Sequence, residues 1–410
     1  MTFTLPAESV ALLSFARPAA VENGFGYLGP DGQVDTSQPI QLWITGRMTH
    51  CFALGAIAGV EGCEEMARHG IKALATTLKD PDNPGWFSAI NMDGTPASED
   101  KESYAHTFVI LAASSALAAG IEEARPLLED ALGNIEKYWW DEEYGMMADR
   151  ASRDMTRIDP YRGINANMHL TEACLAACST PGCDQHLNKA LRIIDRVVAL
   201  VAEFDGRLPE HFSSTWVPEL EYNRDKPADP FRPFGSTPGH WLEWARLILH
   251  ARAELQLRGR EVPANFLPTA QRLYALAMSE AWAPNEELGF VYTVDFEGKP
   301  VVTSRMHWVL CEGIGAAAAL RTAISSEGEA RDAEVEEERT RYTSDLEMMW
   351  AYGYEKFREA PGAWVHELDE MNRPSTTTWS GKPDIYHTLQ ATIVESVPLA
   401  PSFSWALAQM

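Results

Sequence analysis

Two kinds of segment alternate along the chain. One kind is apolar nearly all round and rich in small residues: RMTHCFALGAIAG, SYAHTFVILAASSALAAG, NMHLTEACLAA, PGHWLEWARLILHARAEL, MHWVLCEGIGAAAAL and IYHTLQATIV. A helix of that composition is buried on every side. The other kind carries one apolar stripe and one charged face, as in GCEEMARHGIKALATTL, IEEARPLLEDALGNIEKYWW, HLNKALRIIDRVVALVAEF and ANFLPTAQRLYALAMSEAW. The most acidic of these, EARDAEVEEERTRYTSDLEMMWAYGYEKF, reads as a solvated outer face. A further helix over roughly residues 8–21 brings the amphipathic set to six, against six buried helices.

The connections are asymmetric. Links from a buried helix to the next amphipathic one are short, as around Gly120 and Ser325. Links in the other direction are long, at about 79–102, 140–166, 205–237, 283–305 and 358–383. Loops of that length in a compact domain are usually functional. GFVYTVDFEGKPVVT predicts a hairpin turning at Glu297-Gly298. Six repeats of buried and amphipathic helix predict an all-α (α/α)6 barrel, a single catalytic domain over 1–410. The inner ring is buried on both sides and the outer ring faces water. Every inner helix then starts at the end that carries the long loops. Helix N-termini present free N–H groups and partial positive charge, so that end can stabilise an oxyanion.

Each buried segment also opens with a histidine: His50, His106, His169, His240, His307 and His387, at intervals of 56 to 80 residues. A single histidine in an apolar helix is usually a hydrogen-bonded core residue. Six at equivalent positions are brought by the fold toward one end, facing inward. His240/Glu243 and His169/Glu172 are spaced i, i+3, as are His387 and Gln390, so each pair shares a helical face. A carboxylate beside an imidazole raises its basicity and fixes its tautomer, which makes a proton shuttle. A metal cluster is the competing reading, but histidines spread around a ring make no specific ligand spacing. Arg47 lies one turn before His50, where a guanidinium can hold an enolate oxygen or an anion, or pair with a loop carboxylate. Trp43, Tyr104, Trp241, Trp308, Trp379 and Tyr386 flank the helix starts and offer aromatic faces that suit sugar rings.

Charge and motif content remove other classes. Acidic residues outnumber basic ones by 59 to 34 for a net charge of −25, which disfavours nucleic acid and anionic membrane as partners. A 45% hydrophobic, 23% charged chain is ordinary for a folded soluble protein. No apolar run is long enough to span a membrane, and the first residues do not resemble a signal peptide. Six cysteines, with Cys174, Cys178 and Cys183 lacking any CxxC pairing, predict buried thiols in a reducing cytoplasm. GFGYLG at Gly24–Gly29 is followed by Pro-Asp-Gly, not a helix, so it is no dinucleotide fingerprint, and no phosphate-binding loop motif occurs. HELDE at His366–Glu370 lacks the second histidine of a zinc protease and falls in a loop.

GRMTHCFALGA, YRGINANMHLTEACLAA, FRPFGSTPGHWLEWARLIL, MHWVLCEGIGAAAAL and GKPDIYHTLQATIV resemble the N-acylglucosamine 2-epimerase superfamily. Within it they look most like the branch of mannose and sulfoquinovose isomerases. The resemblance runs from about residue 40 to 395, with TPGHWLEW and KPDIYH its most specific pieces. It implies the (α/α)6 fold, sugar chemistry without a metal or other cofactor, and a monosaccharide as partner. It also implies general acid/base roles for His240 and His387, and substrate contacts for Arg47, Asn165, His169 and Glu243. Trp43, Tyr104, Trp308 and Glu312 are weaker correspondences. Pro383 stands where the sulfosugar-reading members have Gln, which favours a plain hexose.

The expected reaction is interconversion of D-mannose and D-fructose through a cis-enediolate. His387 would move the proton between C2 and C1, and His240 would open the ring; the two assignments can be exchanged. Sulfoquinovose isomerisation and 2-epimerisation on the same site are the alternatives. A toroidal glycoside hydrolase would need two carboxylates flanking the bond. A binding protein would have no use for the paired histidines.

Overall fold

A computed structural model describes residues 4–178, 184–325 and 333–410. The inner ring consists of α2 (Leu42–Ile57), α4 (Ser103–Ala118), α6 (Ile164–Ala177), α8 (Pro238–Leu257), α10 (His307–Ser325) and α12 (Tyr386–Val394). Each packs on the next, and α12 returns to α2, so the ring closes. The outer ring consists of α3 (Cys63–Ala75), α5 (Arg125–Asn134), α7 (Asp184–Glu203), α9 (Phe266–Glu280) and α11 (Ala333–Tyr352), each against the inner helix before it. It is completed by α1 (Ala7–Ala16), which packs on α12. The expected (α/α)6 barrel is the observed one. The inner helices are buried almost end to end: all but the last two residues of α2 and of α8 are buried. On α11, Glu336, Glu337 and Arg339 are exposed, as an outer acidic face requires.

Two elements differ from expectation. The first helix stops at Ala16 and gives way to a single 3-10 turn over Arg17–Ala19, because Pro18 has no N–H to continue the ladder. A short terminal helix, α13 (Phe403–Ala408), was not anticipated. Six residues are too few for a periodic signal. Ser402 caps it through Trp405 N (3.2 Å), and it packs against α2, α4, α6 and α12. Phe403 meets His250, twelve residues into α8 from its first residue, so α13 closes the barrel at the end away from the inner N-termini.

The long loops hold the site in place. The 289–303 segment forms the expected hairpin, pairing Thr293–Val294 with Pro300–Val302, and Gly298 takes a φ of +81° in its turn. Most of the other β-structure links one loop to the next. Ile40–Gln41 pairs with Ala89–Ile90, Asp100–Glu102 with Arg150–Ser152, Arg162–Gly163 with His211–Phe212, and Arg305–Met306 with Glu367–Leu368. Each first partner immediately precedes an inner helix. Ser236 bridges to Val294 just before α8, and Lys382 N donates to Leu28 O (2.8 Å) before α12. Each inner helix therefore starts from a backbone pinned to the following loop.

Candidate active site

A cavity of about 720 Å3, counted to its mouth, opens at the inner N-terminal end of the barrel. His169, His240, His307 and His387 line it, together with Arg47, Trp43, Tyr104, Asn165, Glu243 and Trp308. His50 and His106 do not. His50 sits eight residues into α2, about 12 Å down the helix axis from its start. Its Nδ1 is hydrogen-bonded to Ser115 Oγ (2.7 Å). His106 lies between Trp86 and Trp139; Nδ1 donates to Glu102 O (2.8 Å) and Nε2 accepts from Trp86 N (3.1 Å). Both are hydrogen-bonded core residues, so the expectation that six histidines converge holds for four. Trp241 is likewise core, its indole N–H donating to Ser236 Oγ (2.8 Å).

Two imidazoles are held the same way. His240 opens α8, and its Nδ1 lies 2.8 Å from Glu210 Oε2; the other oxygen of Glu210 accepts from Thr237 N (3.1 Å). His387 opens α12, and its Nδ1 lies 2.8 Å from Glu312 Oε1. In each pair the carboxylate fixes the hydrogen on Nδ1 and leaves Nε2 as the basic nitrogen. Trp308 packs against both rings, at centroid distances of 5.4 Å from His240 and 5.7 Å from His387. Burial depresses the pKa of His387 below the ordinary histidine value, with Glu312 opposing the shift. His387 is therefore a neutral base at neutral pH.

The carboxylate partners are not the expected i, i+3 neighbours. Glu243 lies 3.7 Å from His169 Nδ1 and 3.5 Å from Arg246 Nη2, not against His240. Gln390 donates to Glu172 Oε1 (3.0 Å), not toward His387. Glu312 does not line the cavity; it stands behind His387. Helical spacing puts two side chains on one face, but each Nδ1 is claimed by a carboxylate from another element. Only His169 and Glu172 approach each other as expected, at 3.7 Å. Glu210 carried no sequence signal, because its role depends on a loop folding back onto α8.

Beneath the cavity a single guanidinium organises three carboxylates. Arg246 donates through Nε to Glu312 (2.9 Å), reaches Glu243 (3.5 Å) and lies 3.9 Å from Glu172. Burial works against the charge of Glu312, but Arg246 and His387 hold its carboxyl at about 2. Glu243 is raised well above the usual carboxylate range, first by burial and then by Glu312. Of the three carboxylates it is the one whose proton is held most tightly. His169/Glu172/Glu243 and Glu243/Glu312/His387 bring donors within metal-ligating distance of one another. Arg246 places a positive charge beside the carboxylates of both groups.

Arg47 donates to Tyr104 Oη (2.9 Å) and Asp384 Oδ2 (3.3 Å), its guanidinium packed over Phe108 and Tyr386. Burial opposes its charge, but Tyr104 and Asp384 keep it protonated. Asp384 also accepts from Tyr386 N (2.8 Å), holding the start of α12. Asp384, Phe231, Tyr292, Trp379 and His366 line the cavity too. Of these, Trp379 is one of the aromatics expected near the helix starts, Asp384 belongs to KPDIYH, and His366 lies in HELDE, whose sequence gives no sign of a place in the site. Several buried polar atoms of the wall make no hydrogen bond: Arg47 Nε, Asn165 Oδ1, His169 Nδ1, Glu243 Oε1, His307 Nε2 and Trp379 Nε1. Unpaired buried polar atoms are costly, so their concentration here points to a polar ligand. Cys174 and Cys178 are buried away from this region, and Cys183 lies outside the described residues.

A closed double ring of helices, with two fixed His–Glu pairs in an aromatic cavity at one end, defines an (α/α)6-barrel enzyme of the acid–base type. The chain belongs to the N-acylglucosamine 2-epimerase (GlcNAc 2-epimerase) family, whose model matches residues 24–391. It is 43% identical to a D-mannose isomerase of Pseudomonas cannabina pv. alisalensis, over 98% of this chain and 94% of the relative. It is 42% identical to a D-mannose isomerase of Thermobifida fusca, over 98% of this chain and 96% of the relative. A crystal structure of a D-mannose isomerase superposes with a TM-score of 0.84 at 27% identity, covering 95% of this chain and 96% of the other.

Proposed function

We propose that this enzyme is an aldose–ketose isomerase that interconverts D-mannose and D-fructose. The observation that carries the reading is the pair of His–Glu couples, both at 2.8 Å, facing one cavity across the ring of Trp308. Isomerisation needs a group to open the pyranose ring and a base to carry a proton between C2 and C1. Histidine suits both, because its pKa lies near the working pH. His387 takes the C2 proton through Nε2, Glu312 stabilises the imidazolium, and the same nitrogen returns the proton to C1 while the O2 hydroxyl proton is passed to O1. His240 opens the ring by moving a proton between the anomeric hydroxyl and the ring oxygen. Arg47 stabilises the enediolate oxygens, as a fixed cation in a water-poor site does best. Asn165, His169 and Glu243 meet sugar hydroxyls, while Trp43, Tyr104 and Trp308 supply apolar surface.

Arg47 is the only lysine or arginine lining the cavity among the described residues, and Asp384 already pairs with it. Pro383, also on the wall, offers no donor. A sulfonate buried there would lack partners, so an unmodified hexose is the better substrate. The proton transfer belongs to the imidazoles and the cation under the carboxylates is Arg246, so the reaction requires no metal. No described helix is long and apolar enough to cross a membrane. A cytoplasmic setting is the remaining part of the proposal, resting on cysteine content.

Incubating the enzyme with D-mannose in D₂O, before and after exhaustive chelation, tests the reading. Deuterium at C1 of fructose at an unchanged rate is expected. Rapid C2-deuterated glucose without fructose would make it an epimerase. Activity lost on chelation and restored by a divalent ion would recast Glu243 and His169 as ligands.

A further inference from the structure

The reaction described above leaves two cavity histidines, His307 and His366, without a task, and His307 is the one with an unpartnered ring nitrogen. His307 is the first residue of α10 and is 5% exposed. Its backbone N–H donates to the carbonyl of His366 (3.1 Å), and its Nδ1 reaches the same oxygen (3.3 Å). A carbonyl can only accept, so Nδ1 carries the ring hydrogen and Nε2 carries a lone pair. That nitrogen is buried and has no partner. The ring is stacked on His366 at 3.7 Å with an interplanar angle of 26°, which prevents it from turning over. Both rings belong to the cavity wall.

We propose that His307 is a specificity-determining residue whose Nε2 accepts a hydrogen bond from one sugar hydroxyl remote from the reacting carbons, so that the subsite selects an uncharged donor. The assignment rests on the cavity being a monosaccharide site, as inferred above. Burial, with His387 and Arg47 nearby, holds the imidazole pKa down at about 3, so the ring does not become a donor at working pH. A hydroxyl satisfies such a nitrogen. A deoxy carbon leaves it unpaired, and a sulfonate, phosphate or carboxylate presents lone pair to lone pair. Sites built around a buried polar atom discriminate through that unpaired state.

The test uses 1,5-anhydro-D-mannitol and its 3-, 4- and 6-deoxy analogues, which keep the ring but have no carbonyl to isomerise. Binding is measured by calorimetry on the native enzyme and on His307→Asn, whose amide nitrogen can take the place of Nδ1 in donating to His366 and whose shorter side chain leaves no acceptor at the Nε2 position. One deoxy analogue should bind native enzyme roughly 10- to 100-fold more weakly than the parent. On His307→Asn that difference should shrink below about threefold, the scale left when one hydrogen bond is gone. Equal penalties on both proteins for every analogue, or no binding of the series, would overturn the assignment. Nitrogen-15 NMR of histidine-labelled native enzyme needs no variant. The free protein should show a His307 ring protonated at Nδ1, whose Nε2 resonance shifts when anhydromannitol binds. A ring protonated at Nε2 would end the proposal. Turnover of D-mannose is assayed separately. Its absence would sink the isomerase reading and leave these binding outcomes to decide the role of His307.

Discussion

Removing the imidazole of His387 should cost about 10²- to 10⁴-fold in kcat, the usual scale of general acid–base catalysis, while the fold survives. Arg47→Lys should also lower kcat, because an ammonium cannot contact Tyr104 and Asp384 together with a planar fork. Unchanged circular dichroism with near-native turnover in the His387 variant would place the shuttle on another group. The pH profile is a second check. His387 must be neutral to take a proton, and its pKa is depressed by burial. The acidic limb of kcat/KM should therefore lie below the ordinary histidine value of about 6.5. Replacing Glu312 by Gln removes the charge that opposes this depression, so the limb should move to still lower pH as kcat falls.

At the scale of elements, the site depends on how closely α8 and α10 approach. Gly239 follows Pro238 at the start of α8, and a Cβ added there would lie 2.4 Å from the indole of Trp308. Trp308 is the ring against which both His240 and His387 pack. Gly239→Ala should thus destabilise by about 1–3 kcal/mol through overpacking. It should also lower kcat by more than the lost stability explains, since the displaced indole releases both imidazoles. Denaturant unfolding and single-temperature kinetics on the same preparation separate the two effects. A variant with normal kcat and reduced stability would show that Trp308 does not position the histidines.

The whole molecule buries more imidazole than the reaction uses. His50 and His106 are held at about 4, and His250 at about 3, in each case chiefly by burial. The unfolded chain binds these protons near 6.5 and the folded chain does not, so the unfolded state takes up more protons throughout the interval. Stability is therefore full above about 6.5 and falls as pH drops toward 4, by up to ~1.4 kcal/mol per pH unit for each group. The melting temperature should fall steeply in that window. His106→Gln should be less stable at pH 7, having lost its contacts to Glu102 and Trp86, yet show a shallower decline below pH 6. An unchanged slope would mean that other groups govern acid unfolding.

Some of this was settled by local pattern. Alternation of all-round apolar and one-sided helices is a property of neighbouring residues, and it determined the (α/α)6 ring, the loop-bearing end and the hairpin at 293–302. KPDIYH and TPGHWLEW likewise located His387 and His240, because each histidine opens an inner helix and the fold delivers every such start to one end. Tertiary structure decided the rest. Whether a histidine faces the cavity or the seam between rings is a matter of helix rotation and depth, which separates His169 from His106 and His50. The partners of His240 and His387 come from different elements, Glu210 from a loop and Glu312 from α10, so no spacing within one helix could name them. His366 reached the cavity because a backbone ladder pins its loop beside the start of α10, and α13 was placed by what it plugs. Periodicity reports which face of an element is buried; the neighbour it is buried against is a long-range choice made by the packed chain.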